Sequence, residues 1–233
     1  MNTLKDVKWL GHSAVLLIDS ENNHIFIDPF LSQNPTTPEE YKHPEKVDFI
    51  LLTHGHEDHV GDTIELANKH NAKVLSIVEL SGLLKTDGLN EDLAVEMNKG
   101  GTVDFGGFKV SMTSANHSAS FGGRYAGEPA GLVVHFDNHV VYHLGDTNIM
   151  HEFTYYKNLY NADIAFVPMG DYYTMGPKEA AMCVEMLDPQ TVVPIHYGTF
   201  PVLTGTPEEF KHEVGERTSA KVVVPEAGTS IGL

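Results

Sequence analysis

Short apolar runs recur along the chain, divided by polar and glycine-rich turns, and the period of those runs changes as the chain proceeds. Val7 to Leu10, Ala14 to Asp19 and His24 to Asp28 read as successive strands, interrupted at Gly11 and at Glu21-Asn22-Asn23. Leu31 to Pro44 carries prolines and no period, which predicts a loop lying over the rest. Val47 to Thr53 is aliphatic and β-branched, a strand that empties into the polar cluster His54-Gly55-His56-Glu57-Asp58-His59. Asp62 precedes a helical pattern over 63 to 70 with Glu65 at its third position, the spacing of a capping box. A strand at Lys73 to Ile77 and a short helix around Leu80 to Lys85 follow.

Beyond Gly100 the short strands return, with Gly106-Gly107 as the turn between Val103 to Phe105 and Phe108 to Thr113, and with Asn116-His117-Ser118 closing the hairpin. Ala119 to Leu132 is rich in glycine, resists assignment and reads as a mobile flap. A hairpin turns at Asp137-Asn138, and its return strand, His139 to Leu144, ends in Gly145-Asp146-Thr147. Alternating units then complete the pattern: a helix near Ile149 to Leu159, a strand at Ile164 to Val167, a helix over Pro177 to Leu187 behind Gly176, and a strand at Thr191 to Ile195. Two similar halves, each a sheet with helices on its outer face, predict a four-layer α/β/β/α sandwich in one domain spanning residues 1 to 233.

Composition narrows the partners. With 32 acidic and 15 basic residues the formal net charge is −17, and only Arg124 and Arg217 are arginines. Such a surface repels phosphate backbones, so no nucleic-acid partner is expected. Cys183 lies in an apolar helical stretch and reads as a buried core residue. The start, MNTLKDVKWLGH, lacks a cationic segment followed by an apolar run, and no apolar stretch approaches the roughly 18 residues of a membrane span. A cytoplasmic protein with no membrane partner is the expectation, and symmetric self-association into a homo-oligomer stays open.

The candidate chemistry sits at the ends of the predicted strands. His54 and His56, two apart, can converge on one point, whereas Asp58 and His59 project towards another, a pattern that suits two metal ions. His117, Asp146 and His196 terminate other strands and can complete the site on a rigid scaffold. Three histidines and an aspartate beside two glycines would be expensive to bury with nothing bound to them. His24, His43, His70, His139, His151 and His212 stand alone and read as surface or satisfied residues.

Residues 53 to 62 resemble the His-x-His-x-Asp-His signature of the metallo-β-lactamase superfamily, whose fold is the αββα sandwich. WLGHSAV at the start, GEPAG at 127 to 131, GDT at 145 to 147, GDYYTMGPKEAA at 170 to 181 and IHYGTFP at 195 to 201 are similar to the UPF0173 metal-dependent hydrolase group, which is related to the lactonase acting on ascorbate 6-phosphate. The resemblance implies that His54, His56 and His117 hold one metal, that Asp58, His59 and His196 hold a second, and that Asp146 bridges them. Zinc suits these donors best, with manganese, iron or nickel as alternatives. Ions roughly 3.5 to 4 Å apart would turn a bridging water into hydroxide for attack on a small-molecule ester, lactone, amide or phosphoester.

Catalytic roles beyond the metals fall to Asp58, which could orient the nucleophile or relay its proton, and to His12, which could contact substrate or leaving group unless it merely stabilises its turn. Asp28 is expected to support the His loop by hydrogen bonds. Arg124 in the flap could clamp an anionic group. Asp171, Tyr172, Tyr173 and Thr174 precede a helix N-terminus and could line the pocket. A nuclease or phosphodiesterase and a non-catalytic metal-binding scaffold are the competing readings. An exported lactamase is disfavoured by the start of the chain, a flavin-linked di-iron protein by His56 and the length, and a glyoxalase-type thioesterase by the short stretch after His196.

Overall fold

The computed structural model describes residues 1 to 233. Its first sheet contains β1 (Leu4–Trp9), β2 (Val15–Asp19), β3 (His24–Ile27), β4 (Phe49–Leu51), β5 (Lys73–Ile77) and β6 (Ala94–Met97), hydrogen-bonded in that order. The second contains β7 (Thr102–Asp104) and β8 (Lys109–Ser114), while β9 (Ser120–Phe121) and β10 (Arg124–Tyr125) form a separate two-stranded ladder. β11 (Ala130–His135), β12 (Val140–His143), β13 (Ile164–Pro168), β14 (Thr191–Ile195) and β15 (Lys221–Val222) complete the second sheet, whose order is β15-β14-β13-β12-β11-β8-β7. Each large sheet passes from antiparallel to parallel pairing: at β3 in the first and at β12 in the second.

Helices cover both sheets. α1 (Glu39–Lys42) and α2 (Glu57–Val60) are single turns; α3 (Thr63–His70) and α4 (Val78–Thr86) pack on the first sheet. α5 (Phe153–Tyr160), α6 (Pro177–Leu187) and α7 (Pro207–Gly215) form the opposite outer layer, with α6 in contact with β13. Asn71, Asn161 and Asp188 end α3, α5 and α6 in the left-handed conformation, which short polar side chains tolerate and which turns the chain back towards the next strand.

Strand alternation defines the layers. On β11, Leu132 and Val134 enter the core between the sheets, whereas Val133 joins the core beneath the outer helices. Ile164 and Phe166 oppose Ala165 and Val167 on β13 in the same way. The helix-facing set meets Ala180, Cys183, Val184 and Leu187 of α6 and Phe210 of α7. This is the four-layer α/β/β/α sandwich that the periodicity predicts, and Cys183 is fully buried in it.

Several local expectations differ. Asp62 precedes α3 but makes no cap hydrogen bond; its carboxylate instead accepts from the backbone nitrogens of Leu31 and Ser32 at 2.9 and 2.8 Å, and from the Ser32 hydroxyl. The proline-rich segment is thereby pinned to the His loop, and it contains α1. The expected flap is divided: β9 and β10 form its tip, while Ala130 to Leu132 belong to β11, between β8 and β12. β6, α7 and β15 lie in stretches where the apolar period is too short to predict them. No helix is long and apolar enough to cross a membrane.

Candidate metal centre

The C-terminal ends of β4, β8, β12 and β14 converge on one point. His54 follows β4 after two residues, His56 caps α2, and that single turn carries Asp58 and His59; His117, Asp146 and His196 follow β8, β12 and β14. The approach is close enough that two glycines are obligatory. A Cβ on Gly55 would lie 2.4 Å from Ala126 Cβ, and one on Gly170 would lie 1.8 Å from the His196 carbonyl oxygen.

Asp146 is the hub. Its Oδ2 lies 3.1 Å from His196 Nε2, 3.3 Å from His59 Nε2, 3.6 Å from His117 Nε2 and 3.9 Å from His54 Nε2. Burial works against ionisation of this carboxyl, yet the charges of His196 and His59 hold it well below the usual carboxylate range. Burial likewise opposes a proton on His59, but Asp146 and Asp28 on its two sides outweigh it and raise the imidazole well above its ordinary value. His54 is driven the other way, chiefly by burial and then by the charge of His59.

A hydrogen-bonded support lies behind these groups. Asp28, fully buried and held at φ 47°, accepts from the Thr53 nitrogen at 2.8 Å, from the Thr53 hydroxyl at 2.6 Å and from His59 Nδ1 at 2.7 Å. Since the Thr53 hydroxyl donates its one proton to Asp28, it accepts from His54 Nδ1 at 3.0 Å, which assigns the His54 proton to Nδ1 and leaves a lone pair on Nε2. That Nε2 accepts from His56 Nδ1 at 3.0 Å, and both residues belong to a group whose ligand atoms lie within 4.8 Å of one another.

His12 occupies a different position from the substrate contact expected of it. It is fully buried at φ 52°, its Nε2 is 3.0 Å from Asp58 Oδ2, and its Nδ1 is 2.9 Å from Thr199 Oγ1. An ionised carboxylate only accepts, so Nε2 carries the proton and donates it to Asp58. Burial, joined by the charge of His196, lowers His12 to about 4 and keeps it neutral at neutral pH. For Asp58 burial opposes ionisation, but the hydrogen bond from His12 and the charge of His59 prevail and depress the carboxyl.

The site opens into a cavity of about 610 Å³ whose lining includes His56, Asp58, His117, Asp146 and His196. Its remaining wall is Ser118, Tyr173 and the segment Phe200-Pro201-Val202. Of the loop before α6, Tyr173 borders the cavity, Tyr172 is exposed, Asp171 accepts a 3.3 Å hydrogen bond from Thr204, and the Thr174 hydroxyl is buried without a partner. Arg124 is elsewhere: Nη1 donates to Asp87 at 3.0 Å, and Nη2 bonds the same carboxylate. Thr53, Thr199 and Phe200 to Val202 are not singled out by sequence reasoning. Thr53 precedes the His cluster and the others lie in IHYGTFP or just beyond it, so their nearness to motif residues is the only available signal.

The donors fit divalent ions. Two groups, His54-His56-His117-Asp146 and His12-Asp58-His59-His196, each offer ligand atoms within 4.8 Å of one another. His59 Nε2 and Asp146 Oδ1 are buried without hydrogen-bond partners, as atoms reserved for a cation would be. His12 falls within reach of the second group, but its Nε2 is committed to Asp58 as a donor and offers no lone pair there.

A model of the beta-lactamase superfamily domain matches residues 23 to 197. The chain is 43% identical over 210 residues to a UPF0173 metal-dependent hydrolase of Koribacter versatilis, covering 88% of this chain and 89% of that protein. It is 40% identical to a UPF0173 metal-dependent hydrolase of Methanosarcina barkeri, covering 97% and 98%. Among solved structures, Igni18, a metallo hydrolase of Ignicoccus hospitalis, superposes with a TM-score of 0.87 at 33% identity, covering 98% and 97% of the two chains. The chain therefore belongs to the metallo-β-lactamase superfamily and, within it, to the UPF0173 metal-dependent hydrolases.

Proposed function

We propose that the protein hydrolyses a small-molecule ester, lactone or phosphoester with two divalent ions. The single observation that carries this reading is the Asp146 carboxylate set among four imidazole nitrogens at the floor of a cavity. His54, His56 and His117 would hold one ion, Asp58, His59 and His196 the other, with Asp146 shared. Nitrogen-rich donors favour zinc over manganese, iron or nickel. When bound, such ions polarise the scissile carbonyl or phosphoryl group and acidify a water so that it attacks near neutral pH.

The chain's own groups do the rest. Asp58, with 30% of its side chain exposed, borders the cavity and is held ionised by the His12 proton on Oδ2. It accepts a hydrogen bond from the attacking water and so orients it. Asp28 fixes the ring of His59 through Nδ1 and, through the Thr53 hydroxyl, the tautomer of His54. A cavity of about 610 Å³ suits a small molecule rather than a polymer.

The test compares zinc-loaded wild type with the double variant His54→Ala, Asp146→Asn on a panel of p-nitrophenyl esters, lactones and phosphodiesters. Turnover that disappears with chelator and in the double variant supports the reading. Activity retained by the double variant at the wild-type level refutes it.

A further inference from the structure

The cavity carries a feature that the metal donors do not require. Apart from those donors and Ser118, its lining is Tyr173 on one side and Phe200-Pro201-Val202 on the other, with no lysine or arginine. Sites that bind an anionic group away from any metal ion supply guanidinium or ammonium donors. Arg124 bonds to Asp87, and Lys178 lines a separate cavity rather than this one. Tyr173 is presented by two consecutive left-handed residues, Asp171 at φ 65° and Tyr172 at φ 63°. Such a backbone is rare for bulky side chains and persists only where surrounding bonds over-determine it. Those bonds are Asp171 N to the Met175 carbonyl at 3.0 Å and Thr204 Oγ1 to Asp171 Oδ2 at 3.3 Å. Tyr173 is 56% exposed and Val202 39%, so two large apolar surfaces face open solvent at the mouth of a catalytic cavity.

We infer that the substrate is an uncharged carboxylic ester or lactone whose apolar body lies between Tyr173 and the Phe200–Val202 segment, and that anionic phosphoesters are poor substrates. The inference rests on the hydrolase reading above and narrows it to one substrate class. In the reaction water adds to the carbonyl carbon, the bond from that carbon to the alkoxy oxygen breaks, and the alcohol and carboxylic acid depart with the two hydrogens of water shared between them.

Two measurements test it. In the zinc-loaded protein, kcat/KM for p-nitrophenyl esters should rise from acetate to hexanoate by on the order of twofold per methylene, about half the factor expected for full burial of each CH₂. Bis-p-nitrophenyl phosphate should fall at least 100-fold below the hexanoate. Val202→Lys, at an exposed position that tolerates the change, should abolish the chain-length gain and narrow the gap to the phosphodiester at least tenfold, and Tyr173→Ala should abolish the gain alone. Saturation-transfer NMR on the chelated protein provides a readout independent of turnover: N-phenylhexanamide should bind wild type but not Val202→Lys, and phenyl phosphate should bind neither. Should no substrate turn over while the anilide still binds as stated, the hydrolase reading fails and the apolar site stands. A flat chain-length series, preference for the phosphodiester, or equal binding of phenyl phosphate to wild type overturns the inference.

Discussion

His12 Nε2 donates to Asp58 Oδ2 across 3.0 Å from a fully buried ring, so a residue of the first strand turn controls a carboxylate on the one-turn helix 46 positions later. His12 is a positioning residue: it touches Asp58 and Thr199, and the cavity lining does not include it. His12→Phe keeps the volume and removes the donor. The Asp58 carboxylate then loses the donor that orients it, and kcat should fall roughly 10- to 100-fold. His12→Gln, which retains a donor, should recover part of the loss. An unchanged kcat in His12→Phe would make the His12 bond dispensable.

Asp28 holds three donors at once, so Asp28→Asn cannot serve them all. An amide nitrogen turned towards His59 faces a donor, and one turned towards Thr53 loses the backbone bond. Metal affinity should fall about 10- to 100-fold in a competition titration against a chromophoric chelator. Thr53→Val should give a smaller loss in the same titration, because His59 keeps its partner. Unchanged affinity in both variants would show that the support behind the ligands is dispensable.

Protonation sets a third test. His59 is raised above its ordinary value by Asp146 and Asp28 against burial, so in the ion-free protein it stays protonated near neutrality. A raised value means that its contribution to stability is complete below the unfolded imidazole value near 6.5 and is lost as pH rises through the folded one. A metal on Nε2 must displace that proton, so loading at pH 7 should release at least one proton per chain and strengthen as pH rises. Calorimetry in buffers of different ionisation enthalpy measures the release directly; a heat that is the same in every buffer would contradict it.

Much of this arrangement is legible in the sequence, because ligand spacing and strand period are local properties. The strand boundaries from Thr191 to Ile195 and the helix from Pro177 to Leu187 coincide with the apolar pattern. Other features depend on distant partners. Asp62 has the spacing of a cap, but Leu31 and Ser32, 31 and 30 positions earlier, take its carboxylate. Arg124 sits in a glycine-rich loop as an anion clamp would, yet Asp87 on the end of α4 claims it. The His12 to Asp58 bond joins residues with no shared motif, and the tautomer of His54 follows from Asp28 through Thr53, a relation that only three-dimensional placement reveals.

Arg124 gives a control. Its guanidinium is bonded to Asp87, and it does not line the cavity. Arg124→Ala should leave KM for neutral and anionic substrates within about twofold of wild type, a range typical of surface changes away from a site. A rise in KM confined to anionic substrates would place the arginine in the substrate path after all.

In the function proposed above, Asp146 and the surrounding imidazoles form two ion sites within one chain. The most direct measurement is metal content by mass spectrometry after chelation, reloading with zinc and removal of the excess. Two zinc ions per chain are expected in wild type, with a loss of at least one in Asp146→Asn. A wild-type protein that retains one ion or none, or an Asp146→Asn protein that still retains two, would contradict it.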